Sequence, residues 1–388
     1  MEQGILVYLD FNDALLLAGR LWCRIRKGHE SATFEYDRAW LEHPNRFSLE
    51  PALTLGPGPH HTPSGKALFG SIGDSAPDRW GRLLMRRAER RRAQREGQTP
   101  RTLLEIDFLL MVDDESRQGA LRFAKTDGGP FLQEGAGRRI PPLIELPRLL
   151  SASDHVGEES ETDEDLRLLL APGSSLGGAR PKASVRDRSS QLAIAKFPHK
   201  TDQTNVVLWE ALALKLAAKA GIAVPEWNIE SVSKKPILIS RRFDRIKAGR
   251  IPFLSAMSML GASDRETHSY LEIADALRKY GASPAADLKQ LWRRMVFNVL
   301  ISNTDDHLRN HGFLYDGVSG WRLSPAYDLN PVPAEIKPRI LSTLIDSYDG
   351  TASLELLFSV AEYFGILKDE AHAMAAEVDG CFHALAAS

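Results

Sequence analysis

Residues 284–331 constrain the fold of this chain more than any other stretch. After Ser283-Pro284, the apolar residues Leu288, Leu291, Trp292, Met295, Val296, Val299 and Leu300 recur at helical spacing, which predicts a helix buried along one face. That rod delivers the polar loop NTDDHLRN, residues 303–310, to its end. Gly312–Tyr315 and Trp321–Leu323 then flank Asp316-Gly317, the pattern of a β-hairpin. Beyond it stands Asp328, in Ala326-Tyr327-Asp328-Leu329. A hairpin with Asn310 at one end and Asp328 at the other can bring both oxygen donors to one metal ion. Taken alone, an Asp- and Asn-rich surface loop would be the better reading of 303–310, so the rest of the chain decides.

Upstream, SSLGGARPK (174–182) carries small residues that let backbone N–H groups approach phosphate oxygens. It is neither a Walker A sequence nor a GxGxxG, and by itself it is a weak signal. A strand comes next, with Leu192, Ile194 and Lys196 on one face. Fourteen residues after Lys196, Glu210 lies in a helix begun by Asn205 and closed by Gly221. A strand Lys, a helix Glu, an Asp with an Asn five residues on, and a later Asp form the ordered set that protein kinases use. In that reading Lys196, oriented by Glu210, meets the ATP phosphates, Asp305 is the base, and Asn310 and Asp328 hold Mg²⁺. Spacing selects Asp305 over its neighbour Asp306, which becomes a supporting residue, and His307 orients the loop by hydrogen bonding. The strand at 236–244 leads to a hinge where backbone groups of Arg241–Phe243 bond adenine. Asp244 either reaches ribose or pairs with Arg241, Arg242 or Arg245.

At 388 residues and 43% hydrophobic content the chain can bury a large core. A net charge of −2 gives no overall pull toward nucleic acid or anionic membrane, so any such contact must be local. Cys23 and Cys381 lie too far apart for a metal motif and too few for a disulfide scaffold, so both are expected as core residues. No signal-like or membrane-length apolar run is present, and a soluble cytoplasmic protein is expected.

Ile5–Leu9 and Ala32–Tyr36 read as strands, with a short helical turn after Asp37. Residues 51–66 read as a loop whose His60 and His61 are solvated. From Ala76-Pro77 a helix runs on through Arg86, Arg87, Arg90, Arg91, Arg92 and Arg95, which leaves it solvated or facing an anionic partner. Residues 125–142 form a surface excursion, and 151–165 are acidic. The predicted organisation is α+β and bilobal: an N-terminal mixed subdomain (1–105), a small nucleotide-binding lobe (106–245) and a large helical lobe (246–388).

With these pieces assembled, the chain resembles the HipA family of bacterial serine/threonine kinases, the toxins of HipA–HipB pairs, over nearly its whole length. The most specific matches are SSLGGARPK, the AKF strand end at 195–197, RRFDR at 241–245, NTDDHLRNHGFL at 303–314 and LSPAYDLNP at 323–331. FEYDRAWL, GDSAPDRWGR and DESRQGALRF look like that family's N-terminal subdomain and junction. The resemblance implies ATP and Mg as cofactors, with Gly177 and Gly178 in the phosphate-binding loop. It implies that autophosphorylation of Ser175, or of the adjacent Ser174, ejects that loop and silences the enzyme. It also implies a protein substrate and a HipB-like helix-turn-helix antitoxin, with DNA contacted only through such a complex. One departure is visible: Arg241 stands where a hinge Glu is expected in some relatives. The competing readings are a catalytically silenced kinase-fold binding protein and a small-molecule kinase.

Overall fold

The structure, a computed structural model, describes the chain except residues 1–2, 13, 135–138, 171–177, 247–248, 265, 334–337 and 387–388. Two compact units emerge, Met1–Thr204 with Trp227–Phe253 and Asn205–Glu226 with Leu254–Ser388. These units differ from the three expected segments at three places. Residues 1–105 share one unit with residues 106–204, residues 205–226 join the C-terminal unit, and residues 246–253 belong to the first unit instead of the large lobe.

The first unit opens with β1 (Gln3–Phe11), β2 (Ala14–Arg26) and β3 (His29–Tyr36). In β2, buried Leu21 and Cys23 alternate with exposed Arg20 and Arg24, the period of a half-buried strand. Asp37 caps the short α1 (Arg38–Glu42) by accepting from the Ala39 N–H. Next come β4 (Pro59–His61), α2 (Gly70–Gly73), α3 (Arg79–Arg95), α4 (Glu105–Met111) and β5 (Leu121–Ala124). The strands form an antiparallel sheet ordered β4-β3-β2-β1-β5. His60 and His61 therefore sit in an edge strand, where His61 Nδ1 meets Thr33 Oγ1 at 3.0 Å. Asp78 caps α3 by accepting from Gly81 N at 2.8 Å, so Pro77 precedes the helix instead of entering it.

The acidic stretch folds into α5 (Leu146–Gly157) and α6 (Asp163–Leu170), which bury Leu146, Leu149, Leu150, Val156, Leu166 and Leu169. Its carboxylates answer the basic helix. Arg87 donates to Glu161 at 2.7 Å, Arg95 to Asp163 at 2.8 Å, and Arg92 to Glu89 within α3 at 2.8 Å. Much of the anionic partner expected for α3 is thus supplied by its own unit. The unit's second sheet comprises β6 (Lys182–Arg186), β7 (Leu192–Lys196), β8 (Trp227–Val232) and β9 (Lys235–Arg241), ordered β6-β7-β9-β8 and antiparallel. Val185, Ala195, Ile237 and Ile239 share one core with Leu84, Leu149 and Leu169.

A buried ionic knot explains why no break occurs near residue 105. Arg117 is fully buried and donates to the carbonyls of Ser75 (3.1 Å), Leu109 (2.9 Å) and Val112 (3.0 Å). Burial pushes its pKa down to about 10. Beside it, Asp114 pairs with Arg122 at 2.6 Å and with Arg250 at 2.9 Å. Arg250 lies in the small hairpin of β10 (Arg245–Ile246) and β11 (Gly249–Arg250). The DESRQ turn thereby ties β5 to the segment after β9.

The second unit holds α7 (Val206–Lys219), capped by the Asn205 side chain accepting from Leu208 N, with Gly221 just past its end at φ +71°. The chain continues through β12 (Phe253–Ser255), α8 (Ala256–Met259), α9 (Tyr270–Tyr280) and α10 (Pro284–Leu300). Then come β13 (Gly312–Tyr315), β14 (Trp321–Leu323), α11 (Leu354–Val360) and α12 (Lys368–Ala386). Helix α10 is the central rod, with Leu291, Trp292, Met295 and Val296 inaccessible to solvent. It packs against α9 and α12, and α12 also receives α7, which places residues 205–226 in this unit. Cys23 is buried as expected, whereas Cys381 on α12 is half-exposed.

Candidate active site

Helix α10 ends at Leu300, and the loop it delivers separates its two adjacent aspartates. Asp305 is exposed, while Asp306 is 2% exposed. Asp306 Oδ2 accepts from the Tyr270 hydroxyl, from Asn298 Nδ2 at 2.8 Å, and contacts His311 Nε2 at 2.8 Å. Burial alone would raise its pKa, but the His311 imidazole and the bonds from His311 and Tyr270 outweigh that and hold the carboxyl below its ordinary value. Asp306 is an internal anchor, and Asp305 is the carboxylate open to solvent.

The loop is closed by local bonds. His307 N donates to Asp305 O at 2.9 Å, Asn310 N to His307 O at 2.8 Å, and Asn310 Nδ2 to Asp305 O at 3.1 Å. His307 contributes its backbone here, and the imidazole that reaches a loop carboxylate is that of His311. From outside, Thr343 Oγ1 donates to Asp306 O at 2.7 Å and Ser342 Oγ to Thr304 O at 2.8 Å.

The hairpin of β13 and β14 forms as expected, its turn held by Asp316 Oδ1, which accepts from the N–H groups of Val318 and Ser319. Beyond it, half-buried Asp328 adopts φ +58°, a left-handed conformation uncommon for non-glycine residues but one that Asp enters several-fold more readily than most. The Tyr327 hydroxyl donates to Arg309 O at 2.7 Å, joining the residue before Asp328 to the residue before Asn310. Asn310 is 4% exposed, and its Oδ1 has no hydrogen-bond partner among the described residues. A buried acceptor left open beside an exposed carboxylate suits a cation bound through oxygen. Among the described residues, no group of three or more His, Cys, Asp or Glu could hold a metal, so an ion here would depend on the amide oxygen of Asn310 as well as on carboxylate. Glu210 belongs to this unit as well, buried on α7.

The first unit carries the other expected residues. Lys196 ends β7, half-buried, opposite Leu238 of β9. Ser174, Ser175 and Gly177 lie outside the described residues. Gly178 has φ +99°, and its carbonyl accepts from Trp80 N. The Trp80 indole in turn donates to Lys182 O at 2.9 Å, and Lys182 Nζ pairs with Asp78 at 2.9 Å, with both side chains about 95% buried. The GDSAPDRWGR and SSLGGARPK stretches are therefore bonded to each other. Arg241 lies 3.4 Å from Asp187, Arg242 N donates to Leu192 O within the sheet, and the half-buried Phe243 ring lies against Phe253. Asp244 is fully buried, pairs with Arg242 at 2.5 Å and Arg245 at 2.9 Å, and accepts from Gly119 N at 2.8 Å. Of its two expected roles, ion pairing is the one seen; a carboxylate with no solvent exposure and three donors offers nothing to a ribose hydroxyl. Gly119 itself is needed for φ +72° and because a Cβ there would meet Phe253 N at 3.2 Å.

Sequence reasoning did not single out Tyr270, Asn298, His311 or Tyr327. His311 was within reach, being adjacent to Asn310, but Tyr270 and Asn298 come together with Asp306 only through the packing of α9 on α10.

The class defined here is a mixed α/β protein of antiparallel sheets and helices with an oxygen-rich loop at the end of a buried helix. The chain belongs to the family described as HipA-like C-terminal domain, which matches residues 174–385. It is 25% identical over 330 residues to the candidate kinase Y4mE of Sinorhizobium fredii, covering 78% of this chain and 72% of that one. A candidate kinase of Haemophilus influenzae is 27% identical over 177 residues, 40% of this chain and 52% of that protein. Among solved structures, the Shewanella oneidensis MR-1 complex of HipA, HipB and operator DNA contains a chain of the same fold, with TM-score 0.67 and 16% identity, covering 96% of this chain and 88% of that one. No described helix is long and apolar enough to cross a membrane.

Proposed function

We propose that the protein is an ATP- and Mg-dependent serine/threonine protein kinase of the HipA type. The observation that carries this reading is the division of labour in the 303–310 loop: Asp305 exposed, Asp306 bonded inside, and the buried Asn310 Oδ1 open to a cation. Family membership and the kinase names of Y4mE and the Haemophilus relative support it.

In this reading Asp305 positions the substrate hydroxyl and accepts its proton. Lys196, oriented by Glu210, binds the α- and β-phosphates, with Gly178 at the end of the loop that covers them. Asn310 and Asp328 would hold Mg²⁺, which when bound supplies positive charge to the phosphate oxygens. Backbone groups near Arg241–Phe243 meet the adenine edge. The substrate is a cytoplasmic protein whose phosphorylation arrests growth. Phosphate on Ser175, or on Ser174, would bring charge near −2 to the nucleotide loop and repel ATP. A small helix-turn-helix antitoxin like HipB is the expected inhibitor, and operator DNA is met only through it; the solved complex of HipA, HipB and DNA supports that partner class.

Incubation with labelled ATP and Mg²⁺ tests the proposal. Label should appear on protein serine or threonine, and mapping of autophosphorylation should place it at Ser175 or Ser174. Transfer to a metabolite and never to protein would replace the reading with a small-molecule kinase.

A further inference from the structure

We propose that Tyr270 is a positioning residue for phosphoryl transfer, acting through Asp306 on the two functional side chains at either end of the 305–310 loop. The inference rests on the kinase reading and adds to it a residue remote in sequence.

The geometry is a convergence on one carboxylate. Tyr270, the first residue of α9, is fully buried and directs its hydroxyl to Asp306 Oδ2. Asn298 on α10 donates to the same oxygen at 2.8 Å and lies 3.4 Å from the Tyr270 hydroxyl. His311 reaches that oxygen at 2.8 Å, with the Tyr270 ring edge-on to its imidazole at 5.5 Å. Thr343 holds the Asp306 carbonyl from another segment. Asp306 is bonded covalently to Asp305, and His311 to Asn310, so each functional residue has a neighbour fixed by this network. Buried polar groups are costly where apolar packing would fill the same volume, and a well-packed core has no need of them here. What they supply is orientation: with Asp306 held inward, the adjacent Asp305 side chain is directed out to solvent. Outer residues that aim ligands and bases in this way affect function without touching substrate.

The test is Tyr270→Phe in the full chain, with Thr343→Val as a second variant that loosens Asp306 from its carbonyl side. Three quantities are read: kcat for phosphate transfer, the affinity for Mn²⁺ in the presence of a non-hydrolysable ATP analogue by electron paramagnetic resonance, and the thermal midpoint. The expected result is a loss of about tenfold in kcat together with weaker Mn²⁺ binding, the size seen when outer-shell partners are removed. A purely structural role would lower the thermal midpoint and leave kcat per active molecule and Mn²⁺ affinity alone. Values of both within twofold of wild type, in whichever variant folds, would overturn the proposal. If the wild type transfers no phosphate, the kinase reading fails and kcat cannot be read; Mn²⁺ affinity then decides alone, and an unchanged value in the variants overturns the positioning role.

Discussion

The Tyr327 hydroxyl donates to the Arg309 carbonyl at 2.7 Å, so the loop that ends in Asn310 and the segment that presents Asp328 are fastened one residue before each oxygen donor. The hairpin between them sets their separation coarsely, and this bond sets it finely. Replacing Tyr327 by Phe leaves a backbone carbonyl unpaired and should cost about 1 kcal/mol of stability. The larger effect should fall on the ion: Mg²⁺ dependence of ATP turnover should shift to higher concentration by about tenfold, as for other second-layer changes. Mg²⁺ titration of turnover measures this, and an unmoved curve would show that the bond is incidental.

Lys182 and Asp78 form an ion pair at 2.9 Å with about 5% exposure on each side. Lys182→Met should leave the Asp78 carboxylate buried without that partner and destabilise the first unit by about 3–5 kcal/mol. Adding Asp78→Asn should recover part of the loss, because it removes the stranded charge. Urea unfolding of the single and double variants checks the order; a single variant as stable as wild type would contradict it.

Glu50 is 4% exposed and accepts from Ser71 N at 2.5 Å, and burial lifts its pKa from the ordinary 4.5 to about 7. The folded state therefore prefers the protonated acid. Its contribution to stability is fully present below pH 4.5, is lost as the pH rises toward 7, and changes little above that. At about 1.36 kcal/mol per pKa unit, the swing is about 3 kcal/mol. Glu50→Gln should gain on wild type by that amount between pH 4.5 and 7 in denaturant unfolding. A wild-type-to-variant difference independent of pH would show that Glu50 titrates normally.

Much of the second unit could be read from the residues. The seven-residue apolar stripe of α10, the Asp316-Gly317 turn and the caps of α7 are local signals, and each produced the element it predicts. The first unit was less legible for a physical reason. Strand β2 alternates, but Leu15, Leu16 and Leu17 at its start blur the period, and β4 is too short to carry one. The basic face of α3 and the acids near 161 looked unrelated because the bonds joining them span more than sixty residues, as Arg87–Glu161 and Arg95–Asp163 do. At the site, spacing separated Asp305 from Asp306, and the two differ in exposure, Asp305 being exposed and Asp306 buried. The residues that bury it, Tyr270 and Asn298, have no spacing rule to reveal them.

The central claim, that Asp305 is the reacting carboxylate, is tested most directly by comparing Asp305→Asn with wild type for phosphate transfer from ATP in the presence of Mg²⁺. Among the described residues only the backbone carbonyl of Asp305 is hydrogen-bonded, so the variant should unfold at the wild-type midpoint while its transfer rate falls by about 10²- to 10⁴-fold. A rate within a few-fold of wild type would contradict the account.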